Sequence, residues 1–276
     1  PLKVVLLAGG RGTRAMPFSL YSPKVMIPIN GRPVIDHIIR YLANFPIVED
    51  FIIVCEFDHF GQQIVNYFEG KEQTIGRRIV FVQDKKNGTG GAVLNVESLV
   101  RDDEFFVAWF ADNLCALDMD HLIHQYDLLK NVQENDHGEF IGIVTTRDHR
   151  KEETGIVVLD PKENLRIKEF IEKPLVKLEL PETLGIYLFS SSNLFKFIHS
   201  QKETEILGDA FDLSFDILAQ IPQVGSKIFS YPLPSDRDWI DIESPAHADR
   251  NKVLVEKILS QMIMKKKNSE HVRDQP

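Results

Sequence analysis

Near the start of the chain, the apolar run Leu2-Lys3-Val4-Val5-Leu6-Leu7-Ala8 passes without a break into Gly9-Gly10-Arg11-Gly12-Thr13-Arg14. A short apolar run closed by glycines reads as a strand buried on both faces, and an open α/β sheet places its ligand crevice just past the carboxyl end of such a strand. Glycines there let backbone N–H groups approach an anion, and the arginines add charge. A P-loop reading fails because no Gly-Lys-Ser/Thr opens a helix. The dinucleotide fingerprint is matched in letters by Gly10-x-Gly12-x-x-Ala15, but Pro17, Pro23 and Pro28 fall where the crossover helix should run. Each proline inside a helix costs about 3 kcal/mol, so that reading lacks its required context. A bare glycine turn is disfavoured by the clustering of Arg11, Arg14 and Lys24 beside the strand.

Apolar runs at 4–8, 51–55, 79–82 and 105–110 alternate with amphipathic stretches at 34–42, 60–68 and 92–99. Strand–helix alternation of this kind predicts a Rossmann-like α/β fold: an open mixed sheet, mostly parallel, flanked by helices. The second half is richer in strands, at 140–145, 155–159, 167–170 and 185–189, with helices expected at 119–129 and 211–221. We expect a single domain over 1–264, with one lobe at about 1–112 and a second at about 113–250. A C-terminal helix follows at about 246–264, and 265–276 read as a polar tail. The net charge of −9 over 276 residues argues against a nucleic-acid or anionic-membrane partner, so anionic substrates would need a local basic site. No apolar run approaches a bilayer span, and the opening stretch reads as a strand rather than a leader. Cys55 and Cys115 have neither disulfide-framework nor metal-ligand spacing; both sit in apolar runs as buried thiols, which suits a cytoplasmic location.

Beyond the glycines the pattern continues through Pro17, Pro23-Lys24, Met26-Ile27-Pro28 and Gly31-Arg32-Pro33-Val34-Ile35-Asp36. Over these thirty-odd positions the chain closely resembles the signature of the sugar-1-phosphate nucleotidylyltransferases. Ala15 stands where that family more often has leucine, a matter of packing. The resemblance recurs in order at Gln83, Gly88-Thr89-Gly90-Gly91-Ala92, Ala111-Asp112-Asn113, Thr154-Gly155, Glu169-Phe170-Ile171-Glu172-Lys173-Pro174, Leu184-Gly185-Ile186-Tyr187 and Trp239-Ile240-Asp241-Ile242. It implies the nucleotide-diphospho-sugar transferase fold, with the nucleotide-binding lobe at about 1–112 and the sugar-binding lobe at about 113–250, and a reaction between a nucleoside triphosphate and a sugar 1-phosphate. It further implies nucleotide contacts from Leu7, Ala8, Gly9, Gly10, Gly12, Thr13, Gln83, Gly88, Thr89 and Asp112, and sugar-phosphate contacts from Gly155, Glu172, Lys173 and Gly185. Catalytic roles fall to Arg14, Lys24 and Lys173, and Mg²⁺ to Asp112 and Asp241. Relatives commonly form homo-oligomers.

These residue types suit the chemistry. A sugar-phosphate oxygen attacks the α-phosphorus and pyrophosphate leaves; the attacking oxygen is already ionised, so no general base is needed. Two polyanions must be held in line with their repulsion suppressed, which Arg14, Lys24 and Lys173 would do, with Arg11 as a further candidate. Mg²⁺ takes a few carboxylates plus phosphate oxygens, as Asp112 and Asp241 would allow. Glu243-Ser244 replaces the Gly-Thr that often follows Asp241 in relatives. Gln83 lies five residues before Gly88; its carboxamide can donate to O4 and accept from N3–H of a pyrimidine, which favours UTP or dTTP over GTP. Family frequency points to glucose 1-phosphate, and mannose 1-phosphate with GTP is the alternative. A glycosyltransferase would use Asp-x-Asp at a strand end, whereas Asp118-Met119-Asp120 reads as a helix start. A silent binding homologue should have lost Arg14, Lys24 or Asp112, and all three are present. His121 and His124 read as ordinary helix residues.

Overall fold

The computed structural model describes residues 1–10, 12–133, 138–148, 155–172 and 180–271. The chain forms two compact units: 1–84, 109–119 and 234–276 in the first, 85–108 and 120–233 in the second.

In the first unit, β1 (Leu2–Leu7) is buried along nearly its whole length. In place of a crossover helix come three 3₁₀ turns, at Thr13–Ala15, Phe18–Leu20 and Lys24–Met26, and a tiny hairpin of β2 (Pro28–Ile29) and β3 (Arg32–Pro33). The prolines that argue against a dinucleotide fold thus occupy short turns, which tolerate a missing N–H. Helix α1 (Val34–Leu42) begins directly after Pro33 and buries Val34, Ile35, Ile38, Ile39 and Leu42, an apolar stripe at helical spacing. Asp36, also buried, accepts from Arg40 Nε at 2.9 Å and from the Tyr67 hydroxyl at 3.2 Å. Then follow β4 (Val48–Cys55), α2 (Gly61–Phe68), the single turn α3 (Glu72–Ile75) and β5 (Arg78–Gln83). β1 pairs parallel with β4, Leu7 opposite Val54, and β4 with β5, Cys55 opposite Gln83. The carboxyl ends of these strands therefore finish level with one another.

The expected single helix at 92–99 is two short ones, α4 (Gly88–Leu94) and α5 (Glu97–Val100), in the second unit. The break falls at Asn95-Val96, both poorer helix formers than the residues around them. β6 (Phe105–Phe110) starts in the second unit and ends in the first, which also holds β7 (Asn113–Cys115). Helix α6 (Met119–Gln133) leads to β8 (Phe140–Arg147), β9 (Ile156–Leu159), β10 (Ile167–Ile171) and β11 (Glu182–Ser190). β8 and β11 pair antiparallel, as do β9 and β10. Helix α7 (Ser191–Glu203) and β12 (Lys227–Pro232), parallel to β8, complete the second unit; neither was expected from the sequence. Where a helix was expected at 211–221, the chain makes one π-helical stretch, Leu213–Leu218.

Back in the first unit, β13 (Trp239–Asp241) pairs antiparallel with β7. The expected terminal helix is split into α8 (Pro245–Arg250) and α9 (Lys252–His271). Asn251 forms the break, its side chain donating to the His247 carbonyl at 2.9 Å in competition with the helix ladder. α9 continues through Lys265–Lys267, where the polar tail was expected to begin. The strand order is β6-β1-β4-β5 in the first unit and β10-β9-β11-β6 in the second, a mixed and mostly parallel α/β arrangement with flanking helices. Among the described residues, no helix is long and apolar enough to cross a membrane.

Candidate functional site

In the first unit, the loop after β1 is held by its neighbours at the level strand ends. Ala8 N donates to the Val54 carbonyl at 2.9 Å, and Ala111 N to the Leu7 carbonyl at 3.1 Å. Leu7 and Ala8 are buried. A Cβ at Gly9 would stand 1.7 Å from Asp84 Oδ2, so the carboxylate occupies space that any other residue would need. Gly12 has φ 62° and ψ 73°, the left-handed conformation glycine adopts at little cost, and opens the first 3₁₀ turn. Thr13 and Arg14 lie exposed in that turn, and Arg14 is 3.5 Å from Glu243. Gln83, exposed at the end of β5, donates to the Asp84 carbonyl at 3.0 Å.

Lys24 and Asp112 meet at 2.6 Å although 88 residues apart, both side chains largely shielded from water. The β7–β13 ladder sets Asp241 opposite Asn113, and Ile242 N donates to the Asp112 carbonyl at 2.8 Å. Asp112 and Asp241 therefore leave from adjoining backbone positions. Ser244 caps α8 by accepting from His247 N at 3.0 Å, which turns His247 back toward the strand end. One carboxylate oxygen each from Asp241 and Glu243 and one His247 ring nitrogen lie within 4.8 Å of one another. Sequence reasoning assigned no role to Glu243 or His247, and the only signal was the departure from the usual Gly-Thr. Nearby, burial pushes the Cys55 thiol up to about 12, and the charges of Asp84, Asp58 and Glu56 push the same way. That thiol is a packed side chain and no nucleophile.

In the second unit, Gly88 has φ 82°, and a Cβ there would lie 2.2 Å from the Phe211 carbonyl oxygen. That oxygen accepts from Gly90 N at 3.0 Å. The Thr89 hydroxyl donates to Asp212 Oδ2 at 2.9 Å and accepts from Leu213 N at 2.8 Å, so its polar capacity is engaged within the protein. On the sugar-facing side expected from the sequence, Gly155 leaves room for Glu172, whose Oε2 would be 2.7 Å from a Cβ at that position. Gly185 sits in β11 with φ 67°, where the register with β8 slips between Thr183 and Tyr187. Tyr187 is buried, which pushes its pKa up; the charges of Glu172 and Asp212 add to the rise, and the nearby Ser214 side chain opposes it. The Asp212–Ser214 segment went unnoticed as a site in the sequence, although Asp before an apolar run is a cap signal. His121 hydrogen-bonds the Tyr231 hydroxyl at 2.6 Å, in keeping with an ordinary helix residue. Arg11, Thr154 and Lys173 lie outside the described residues.

The fold and the motifs at its strand ends define a nucleotidyl transferase. The chain belongs to that family, whose model matches residues 3–242. It is 28% identical over 249 residues to a UTP–glucose-1-phosphate uridylyltransferase of Synechocystis, covering 87% of this chain and 60% of that one. It is 26% identical over 247 residues to the mannose-1-phosphate guanylyltransferase catalytic subunit beta of Danio rerio, covering 88% and 62%. The chain thus spans about three fifths of the length of these relatives. Among solved structures, HddC from Yersinia pseudotuberculosis has the same fold, with a TM-score of 0.68 at 21% identity over 92% of this chain and 98% of that one.

Proposed function

We propose that this chain transfers a nucleotidyl group from a nucleoside triphosphate to a sugar 1-phosphate. A phosphate oxygen of the sugar bonds to the α-phosphorus, the bond from the α-phosphorus to the bridging oxygen breaks, and pyrophosphate leaves with that electron pair. The observation that carries this reading is the convergence in the first unit of Lys24, Asp112 and Asp241, all at the carboxyl-end level of the sheet.

The residues divide the work. Backbone N–H groups of Gly9, Gly10 and Gly12 present donors to phosphate oxygens, and Arg14, exchanging Glu243 for an anion, neutralises the departing pyrophosphate. Lys24 neutralises the α-phosphate while remaining oriented by Asp112. In the second unit, Glu172 accepts from sugar hydroxyls and the backbone of the Gly88–Thr89 turn, held against Phe211, contacts the nucleotide; Lys173 is the proposed partner of the sugar phosphate. Two carboxylates on adjoining backbone positions fit Mg²⁺, which binds one or two carboxylates plus substrate phosphates. Asp112 and Asp241 would hold it, and it would supply charge neutralisation at the phosphates.

For the substrates, Gln83 supports UTP or dTTP, with glucose 1-phosphate as acceptor. One observation favours GTP with mannose 1-phosphate: the Asp84 carboxylate against Gly9 is an acceptor-only group of the kind that meets the N1–H and N2–H donors of guanine. Pyrophosphate release over a grid of UTP, dTTP, GTP, CTP and ATP against glucose, mannose and N-acetylglucosamine 1-phosphates tests both. Release with one pyrimidine triphosphate supports the Gln83 reading. Release with GTP alone transfers base selection to Asp84, and silence across the grid overturns the reaction.

A further inference from the structure

Helix α9 begins after the last motif that the sequence singled out, and no functional role falls to it there. In the structure it packs on α1 and on the two short strands β7 and β13, all in the first unit. Its buried face is made by Val255, Ile258, Leu259 and Met262, an apolar stripe at helical spacing. Beside them stands Gln261, only 6% exposed. A carboxamide buried in an apolar face costs free energy unless its polar atoms are hydrogen-bonded. Both ends of this one are. Nε2 donates to the Asp236 carbonyl at 3.1 Å and to Asp238 Oδ2 at 3.0 Å, and Oε1 accepts from Asp238 N at 3.3 Å. Lys257, one turn earlier on the helix, reaches the same Asp238 oxygen at 2.7 Å. Two side chains of α9 therefore hold the backbone that enters β13.

The hold matters because of what β13 carries. Asp241 stands three residues after Asp238, opposite Asn113 of β7, and Ile242 N donates to the Asp112 carbonyl. Two paired strands of three residues are marginal by themselves. Burial of Trp239 and Ile240 rewards contact with the rest of the unit, but apolar attraction is non-directional and does not select one register. A slip of one residue would turn Asp241 to the other face of the ladder. A buried amide is satisfied in one register alone, as polar residues in helix interfaces are. We infer that Gln261 is a positioning residue: by fixing 236–238 it sets β13 on β7 and so places Asp241 beside Asp112. This rests on the proposed reaction, in which those two carboxylates hold the cation.

Positioning and packing can be separated by experiment. Gln261→Leu keeps a side chain of similar size in the stripe and removes all three hydrogen bonds, whereas Val255→Ala removes packing from the same face and leaves them in place. Mn²⁺ binding to the protein alone, read from the electron paramagnetic resonance signal of the free ion, gives a dissociation constant without turnover. Gln261→Leu should raise that constant about tenfold, the lower end of what loss of a residue supporting a metal ligand produces. In the pyrophosphate assay it should raise the Mg²⁺ concentration for half-maximal rate by the same factor, with kcat near wild type at saturating Mg²⁺. Val255→Ala should lower the urea midpoint and leave the Mn²⁺ constant within about twofold of wild type. Asp238→Ala, which removes the Oδ2 partner and keeps the two backbone bonds, should give a smaller rise than Gln261→Leu, and it decides the matter should Gln261→Leu fail to fold. An unchanged Mn²⁺ constant in the variant that decides overturns the inference. So does a Val255→Ala protein that loses as much affinity as that variant.

Should the wild type bind no Mn²⁺ while a pair in the grid reacts, the Mg²⁺ dependence of the rate decides in the same way. If no pair reacts, the proposed reaction has failed, and the positioning is read separately by amide hydrogen exchange of the protein without ligand. Gln261→Leu must then speed exchange at 239–242 beyond the change that Val255→Ala produces. Equal or absent acceleration overturns the role of Gln261.

Discussion

The two units solve the same problem, placing polar groups at the edge of a sheet, by different means. In the first, the residues around the glycine loop are delivered by parallel strands that end level, and the contiguous string from Leu7 to Arg14 carries most of them. Its long-range polar contacts include the direct pair of Lys24 and Asp112. The second unit is knitted from antiparallel pairs and from side chains that reach across long sequence separations, as in Thr89–Asp212 and Arg147–Glu182. A parallel sheet with level ends gathers backbone groups along one edge. In the second unit the slipped β8–β11 ladder is bridged by the Arg147–Glu182 pair, and the Asp212 carboxylate is shared among several donors. Polar residues at the strand ends of the first unit should therefore lose function before stability when changed, and the bridging residues of the second should lose both.

The largest effect expected on stability is in the second unit. Arg147 Nε lies 2.6 Å from Glu182 Oε1, whose side chain has no exposure, so Arg147→Ala removes a cation from a carboxylate closed off from water. Breaking such a pair costs roughly 3–5 kcal/mol, which urea unfolding would show as a large drop in midpoint. A loss under 1 kcal/mol would break the contrast between the units. In the first unit, Asp112→Asn should leave the unfolding midpoint near wild type while kcat falls by about 10²–10³, as for removal of one group acting on developing charge. A parallel loss of stability would place Asp112 with the bracing residues instead.

Gly88→Ala is the next smaller change. It forces a Cβ into the left-handed region and within 2.2 Å of the Phe211 oxygen, so a loss of about 1–3 kcal/mol is expected in thermal or urea unfolding. Gly10→Ala, with open space around the added carbon, should cost far less and sharpens the comparison.

The smallest effect is one of pH. Asp58 is held at about 2: burial pulls its pKa up, but hydrogen bonds from Gly61 N and Phe60 N pull it further down, helped by the charge of His59. A carboxyl depressed in the folded state stabilises above its unfolded pKa of about 3.9 and stops doing so as pH falls through the folded value. Asp58→Ala should then lower stability slightly and evenly from pH 5 to 8. Its difference from wild type should shrink between about pH 4 and 2, which a midpoint series in urea would record.

Much of the first unit was legible because its signals are local. Strand β1 is an apolar run stopped by glycines, α1 shows helical spacing from Val34 to Leu42, and the prolines after Gly12 exclude a crossover helix. The same local signals failed at 92–99, at 211–221 and at the C-terminal helix. At these places one or two Asn residues or a capping Asp redirected the backbone within a stretch of otherwise suitable periodicity. Of the residues singled out by resemblance, the structure brings Lys24 to Asp112 and Asp112 beside Asp241, and it draws Thr89 into a bond with Asp212. Glu243 and His247 were marked only by the departure from Gly-Thr, and Asp212 only as a cap; neither signal pointed to the partners the fold gives them.

From the sequence by itself came the α/β class, the glycine loop at the end of the first strand and the family, since these rest on residue types within a few positions of one another. Tertiary structure decided which polar groups meet. A hydroxyl or carboxylate has several equally good partners in the unfolded chain, and only the packing of distant segments selects among them. Thr89 is the clearest case: its type and spacing mark it for a nucleotide loop, but the fold commits its hydroxyl to Asp212 and Leu213.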